Sequence, residues 1–242
     1  MTDVGHAEAP ATTTPTELAD VIDHLVGIQP GDWLDGLRRT RPETRAQAQK
    51  SYEALFTPAA PVVGQVTPAE RHAVAALVAG LHQQPRGAGF HHAILQGLAP
   101  DWADAVQRAT AAGQAQGPYG HYPAASPLAG ESLGGLDFTL SPALQIALGA
   151  RLHAALRHAH FLVFHPRDAA PEKLWALEAA GWSADDIVIL SQLVAFLSFQ
   201  LRVVAGLRVL ADHWDSAAAA PARQTAARPA VAVQERRVPG AA

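Results

Sequence analysis

The chain has 242 residues, no cysteine, and 18 basic against 22 acidic side chains for a formal charge of −4, which suits one large or two small domains. Zero cysteine excludes disulfides, thiolate-bound zinc or iron–sulfur clusters, a cysteine nucleophile and dithiol redox cycling. The mild acidity argues against a nucleic-acid partner, which normally needs a basic face.

In chain order, residues 1–16 carry Asp3 and Glu8 and no apolar run. They read as a disordered N-terminus without a secretory signal or membrane anchor, and the chain reads as cytoplasmic. From 17 to 214 helix signals recur, with no sustained period-2 alternation and no Asn-Gly hairpin. This predicts a single all-α unit. Thr67-Pro68-Ala69-Glu70 is a capping box with proline at the first helical position, opening the apolar run Val74 to Leu81. The box alone explains Glu70, although a carboxylate beside a histidine can also serve a proton relay. His91-His92 follow the glycine-bearing segment Pro85 to Phe90. Glycine and proline then punctuate 116–137, a loop long enough for a lid or an oligomer arm. It separates helical halves of about 17–113 and 138–214.

Ser141-Pro142 starts the next helix, through Leu144 to Leu156. His153, Arg157 and His160 fall at i, i+4 and i+7 on one face. The two histidines could ligate a metal with Glu131 or Asp137, but no acid-bearing motif such as HExxH is present, and they read as exposed or core histidines with no metal. A helix from about Glu172 to Ala180 should end at a left-handed Gly181, and Ser183 caps a long final helix over Ile187 to Leu210. That helix is apolar enough to resemble a membrane span, yet Gln192, Gln200, Arg202 and Arg208 inside it favour a helix buried in a core or an oligomer. Ser191, Ala195, Ser198 and Arg202 make a small-polar stripe ending in a guanidinium. If buried, Arg202 needs a partner, either a carboxylate of the fold or an anionic ligand. The alanine-, proline- and arginine-rich residues 215–242 read as a disordered tail. Dinucleotide, Walker and nucleophile-elbow motifs are all absent from the sequence.

The segment from Pro171 through Gly181-Trp182-Ser183 to Gln200-Leu201-Arg202 and Gly206, within roughly 140–210, resembles the peroxidase-related, two-half members of the carboxymuconolactone decarboxylase superfamily. These are the alkylhydroperoxidase D-like proteins, and the chain looks like their CMD domain subgroup. The family signature is a glutamate followed by Cys-x-x-Cys-x-x-x-His at a helix start. Here Gln84 and Gly87 stand at the thiol positions, while Glu70 and His91 carry over. The resemblance implies an all-α fold of two related halves, association through core helices as a homo-oligomer, a small-molecule pocket near the interface and no cofactor. Thiol peroxidase chemistry is excluded, because it needs an attacking thiolate and a resolving thiol.

Two functions follow as expectations. One is a cysteine-independent acid/base enzyme, of decarboxylase or isomerase type, on a small organic acid or oxidised metabolite. There His91 is the acid/base, Glu70 orients it, and Arg202 with Gln200 and Ser198 binds substrate. This requires Glu70, His91 and Arg202 to meet in one cavity. The other is a non-catalytic pseudoenzyme in a hetero-oligomer with a cysteine-bearing paralogue. Neither calls for nucleic acid or a membrane.

Overall fold

A computed structural model describes residues 18–59 and 65–213 of the protein. The expected disordered ends, 1–16 and 215–242, lie outside the described residues. Within them the chain is helical with no β-strand, as expected. Its helices are α1 (Val21–Val26), α2 (Trp33–Arg39), α3 (Pro42–Phe56), α4 (Pro68–Leu81), α5 (Pro85–Leu98), α6 (Pro100–Ala112), α7 (Pro142–Phe164), α8 (Trp175–Ala179) and α9 (Ala184–Asp212).

Local chemistry sets most of the boundaries. The α3, α4, α5, α6 and α7 helices each begin on proline, whose fixed φ suits the first turn and whose missing N–H would be unpaired there anyway. Thr67 and Glu70 form the expected capping box, Ser141 caps α7, and Ser183 with Asp186 forms a second box at α9. Gly181 is left-handed at φ +86°, but the helix before it is split into a 3-10 turn at Pro171–Lys173 and the short α8. The break between α4 and α5 is a Schellman turn, with the Gln83 and Gln84 N–H groups donating to the Gly80 and Ala79 carbonyls. Its left-handed residue is Gln83, at φ +55°, and not a glycine. The α7 helix is interrupted at Gly149, whose φ of 74° and ψ of 161° no other residue adopts readily.

The α4 helix is the centre of the core, with Ala73 to Ala79 all buried and α3, α5, α6, α7 and α9 packed around it. Small residues allow this crowding: a Cβ added to Gly80 would sit 2.3 Å from a methyl of Thr110 on α6. The α9 helix lays Leu190, Leu193, Leu197, Leu201 and Val204 into this core. By length and composition it could cross a membrane, and 44% of its most apolar window is buried inside the protein. Its outer side is exposed at every third or fourth residue, through Val188, Gln192, Ala195, Phe199, Arg202, Gly206 and Val209.

An ionic cluster ties α1 to α2 and α3. Arg38 pairs with Asp20 and Asp23, and Arg45 reaches Asp20, Asp23 and Asp35. The segment between α6 and α7 is anchored to the C-terminal end of α7. The Tyr119 N–H donates to the Phe164 carbonyl at 2.6 Å, His160 Nε2 lies 2.9 Å from the Gly113 carbonyl, and the His121 N–H donates to Asp168 at 3.0 Å.

Candidate functional site

Glu70, at the third position of α4, is buried with 4% of its surface exposed. Its Oε2 accepts from the Thr67 N–H and hydroxyl at 2.8 and 3.0 Å, and its Oε1 accepts from Arg151 Nε at 2.7 Å. Arg151, on α7, uses its other two nitrogens as well. Nη1 donates to the Gly181 carbonyl at 2.6 Å, and Nη2 reaches Asp186 Oδ2 at 3.3 Å. Its guanidinium also lies 4.0 Å above the Trp182 ring, while the Trp182 N–H donates to the Arg151 carbonyl. Asp186 Oδ1 accepts from the Val66 N–H at 2.9 Å.

The two N-terminal caps are therefore held by one arginine. They are related in sequence too: His82 and Ser198, which touch at 3.3 Å, are 116 residues apart, and the same offset takes Thr67 to Ser183, Glu70 to Asp186 and Gln84 to Gln200. The α4–α5 pair and α9 thus carry these residues at one common spacing, on a backbone broken at Gln83 in the first and continuous in the second. Arg71, itself buried, adds a second cation near these carboxylates and donates to the Val66 and Leu55 carbonyls. Burial lowers its pKa, with Asp186 and Glu70 opposing.

His91, on α5, has no exposed surface. Its Nδ1 lies 3.1 Å from Nδ1 of His72, so one ring donates to the other. Phe56 stacks on His91 with centroids 5.0 Å apart and Tyr52 stacks on Phe56 at 4.9 Å. Burial holds the His72 imidazole down at about 4, and burial followed by the neighbouring His72 holds His91 well below its ordinary value. Both rings are neutral at pH 7. His91 Nε2 and the Tyr52 hydroxyl, both buried, find no hydrogen-bond partner among the described residues.

The remaining expected site residues divide between opposite sides of α9. Gln200 is fully buried, and neither its Oε1 nor its Nε2 has a hydrogen-bond partner among the described residues. Arg202 is exposed, so the condition under which it would need a buried partner does not arise; its Nη1 donates to the Ser198 carbonyl at 2.7 Å. Ser198 meets His82, whose pKa is lowered by burial and then by the Arg202 charge. Arg202 therefore belongs with His82 at the C-terminal end of α4, and Glu70 lies at the other end. Twelve residues of helix separate them, about 18 Å at 1.5 Å per residue. His72 lies two residues beyond Glu70, roughly 200° around the helix, so Glu70 faces α7 and α9 whereas the His72–His91 pair faces α3. Glu70, His91 and Arg202 do not share a site.

Gln84 and Gly87, the two positions that the resemblance aligns with thiols, have different surroundings. A Cβ added to Gly87 would lie 2.9 Å from Leu201 on α9. Gln84 borders a cavity of about 670 Å³ whose polar lining comes from Gln83, Gln84, His92, Gln107, Thr110 and Gln114. It contains no carboxylate, lysine or arginine. A larger cleft of about 800 Å³ opens on the other side of the protein, between α7, α8 and residues 134–138. His153 and Arg157 of the sequence stripe both line it. His160 lines it too, with Nε2 against the Gly113 carbonyl, and among the described residues no group of three or more histidine, aspartate or glutamate side chains is placed to hold a metal.

The sequence did not single out Arg151, His72 or Tyr52. Arg151 carries no local signal, since its partners are 81 and 35 residues away. No protein-family model and no curated protein matches the chain.

Proposed function

We propose that this chain is a cysteine-free protein of the carboxymuconolactone decarboxylase/alkylhydroperoxidase D-like type, working in the cytoplasm as the non-catalytic partner of a cysteine-bearing paralogue. The observation that carries this reading is the engagement of the signature residues. Glu70 caps α4 and pairs with Arg151, and His91 is sealed against His72 and Phe56 with no exposed surface. A general acid or base must come within hydrogen-bond reach of a substrate proton, and neither group faces a cavity described above. The exposed apolar stripe of α9, with Phe199 46% exposed at its centre, is the surface through which a second helical subunit would pack, as homo-oligomer or hetero-oligomer.

A second reading, the acid/base enzyme on a small organic acid, is favoured by one observation. His91 Nε2 has no hydrogen-bond partner among the described residues and its ring is neutral, which is the state of a base awaiting a proton. Co-expression with the Cys-x-x-Cys paralogue from the same genome distinguishes the two. The partner reading expects a complex of fixed stoichiometry that survives gel filtration, is lost in Phe199→Asp, and keeps its peroxidase activity when this chain carries His91→Ala. A homo-oligomer that ignores the paralogue, and whose own turnover disappears in His91→Ala at unchanged melting temperature, overturns it in favour of the enzyme.

A further inference from the structure

The stripe on α7 that neither functional reading uses points into the 800 Å³ cleft. Ala150, His153, Ala154, Arg157, His158 and Phe161 recur at three- and four-residue intervals along that helix and line it together, as one face of a helix must. The volume is in the range of clefts that take a small organic ligand.

Three features define what would fit. First, Arg157 is anchored at one end only. Its Nε donates to the Phe138 carbonyl at 3.2 Å, and the nearest acid is Asp137 at 4.0 Å, whose side chain is 93% exposed. Such a surface contact is worth little, so the terminal amino groups of the fork are open to a carboxylate, which they match in geometry. Second, Lys173 brings another cation to the same cleft, its Nζ 5.4 Å from the Phe161 ring centroid. Third, Phe138, Phe161, Ala154 and Leu177 contribute apolar and aromatic surface to the same lining as these cations and His153. His153 Nε2 is buried there without a hydrogen-bond partner among the described residues. Two further acids line the cleft, and among the described residues neither forms an ion pair with Arg157 or Lys173: Asp168 accepts from the His121 backbone and faces the rings of His121 and His165, and Glu172, like Arg157 and Lys173, is exposed to solvent.

We propose that this cleft binds a small aromatic carboxylate, with its carboxylate on Arg157 and Lys173 and its ring against Phe161 and Phe138. The site is independent of Glu70 and His91, and stands whichever reading of those residues holds.

Isothermal titration of the full chain with benzoate tests it, with benzamide as the neutral isostere and inorganic phosphate as an anion without a ring. Saturable one-site binding of benzoate in the millimolar range or tighter is expected, with no binding of benzamide or phosphate. Arg157→Ala should weaken benzoate by about tenfold, or about 1.4 kcal/mol, and Lys173→Gln should weaken it in the same direction. Arg108→Ala serves as the charge control, because that arginine sits on α6 in an exposed pair with Asp104. Arg157→Ala removes one backbone hydrogen bond from a mostly exposed side chain, and an unchanged melting temperature shows that the fold survives; if it does not, Lys173→Gln alone decides. Absence of saturable benzoate binding, equal binding of benzamide, or benzoate affinity indifferent to both substitutions overturns the proposal.

Discussion

His72 and His91 join α4 to α5 through a ring-to-ring hydrogen bond whose accepting imidazole must be neutral. Burial, and then the Arg71 charge, bring His72 to about 4, against about 6.5 for an exposed imidazole. Between those two pH values the unfolded chain binds a proton that the folded chain excludes. Stability is therefore fully present above about pH 6.5 and declines as the pH falls towards about 4. Paired carboxylates such as Asp35, held low by its hydrogen bonds to Arg39, Gly31 and Arg45, act in the same direction at lower pH, so the histidine contribution must be read by difference. Urea unfolding of the parent chain and of His72→Gln at about pH 7 and about pH 5 should show the parent losing more stability. The excess is on the order of 1 kcal/mol per pH unit, and parallel curves would refute the assignment. Gln200 is the other costly residue. A buried amide with no hydrogen-bond partner among the described residues forfeits about 1–3 kcal/mol for each unsatisfied group, and Gln200 lies at the offset from Gln84 that also separates the two caps.

At the level of elements, the turn between α4 and α5 has a defect that can be removed. Gln83 occupies the left-handed position of a Schellman turn, where a side chain costs about 1–2 kcal/mol. Gln83→Gly should raise the unfolding free energy by about 0.5–1 kcal/mol after the extra entropy of glycine in the unfolded chain is subtracted; a loss of stability would mean that the glutamine side chain contributes a contact. This turn also shows what the sequence concealed. Thr67, Ser141, Ser183 and Gly181 were legible because caps act within three or four residues. Gln83 was not, since nothing in a glutamine announces a left-handed backbone, and the break at Gly149 was hidden inside an unbroken apolar pattern. The orientation of α9 was illegible for a further reason. A helix apolar on nearly all sides carries no periodicity to say which face is buried, so Arg202 could be placed on a stripe but not assigned to the inside or the outside.

For the whole molecule, Arg151 joins the cap carboxylates of α4 and α9, Glu70 and Asp186, which lie 116 residues apart in the sequence. Removing it leaves Glu70 and Asp186 buried beside Arg71 alone. Losing one partner of a buried pair costs about 3–5 kcal/mol, and because the Arg151 side chain is 31% exposed a loss of about 2–4 kcal/mol is expected for Arg151→Met. That corresponds to a fall of roughly 5–15 °C in melting temperature for a chain of this size. Adding Glu70→Gln and Asp186→Asn should recover part of it, and an unchanged melting temperature in the single variant would remove the joint from this account. The all-α architecture was foreseeable from composition and caps. The separation of Glu70, His91 and Arg202 was not, because each is directed by neighbours distant in sequence.

The same joint sets an order in time. Glu70 and Arg151 are 81 residues apart, and a ribosome adding roughly 5–20 residues per second delivers the arginine about 4–16 s after the glutamate. Asp186 and the body of α9 arrive later still. Through that interval the cap carboxylate of the central helix lacks its cation, and the face of that helix that α7 and α9 cover is still open. The nascent chain is therefore most exposed to aggregation and chaperone capture before its second half is made, and a ribosome stalled ahead of Arg151 should hold a chain whose central helix is still open to protease.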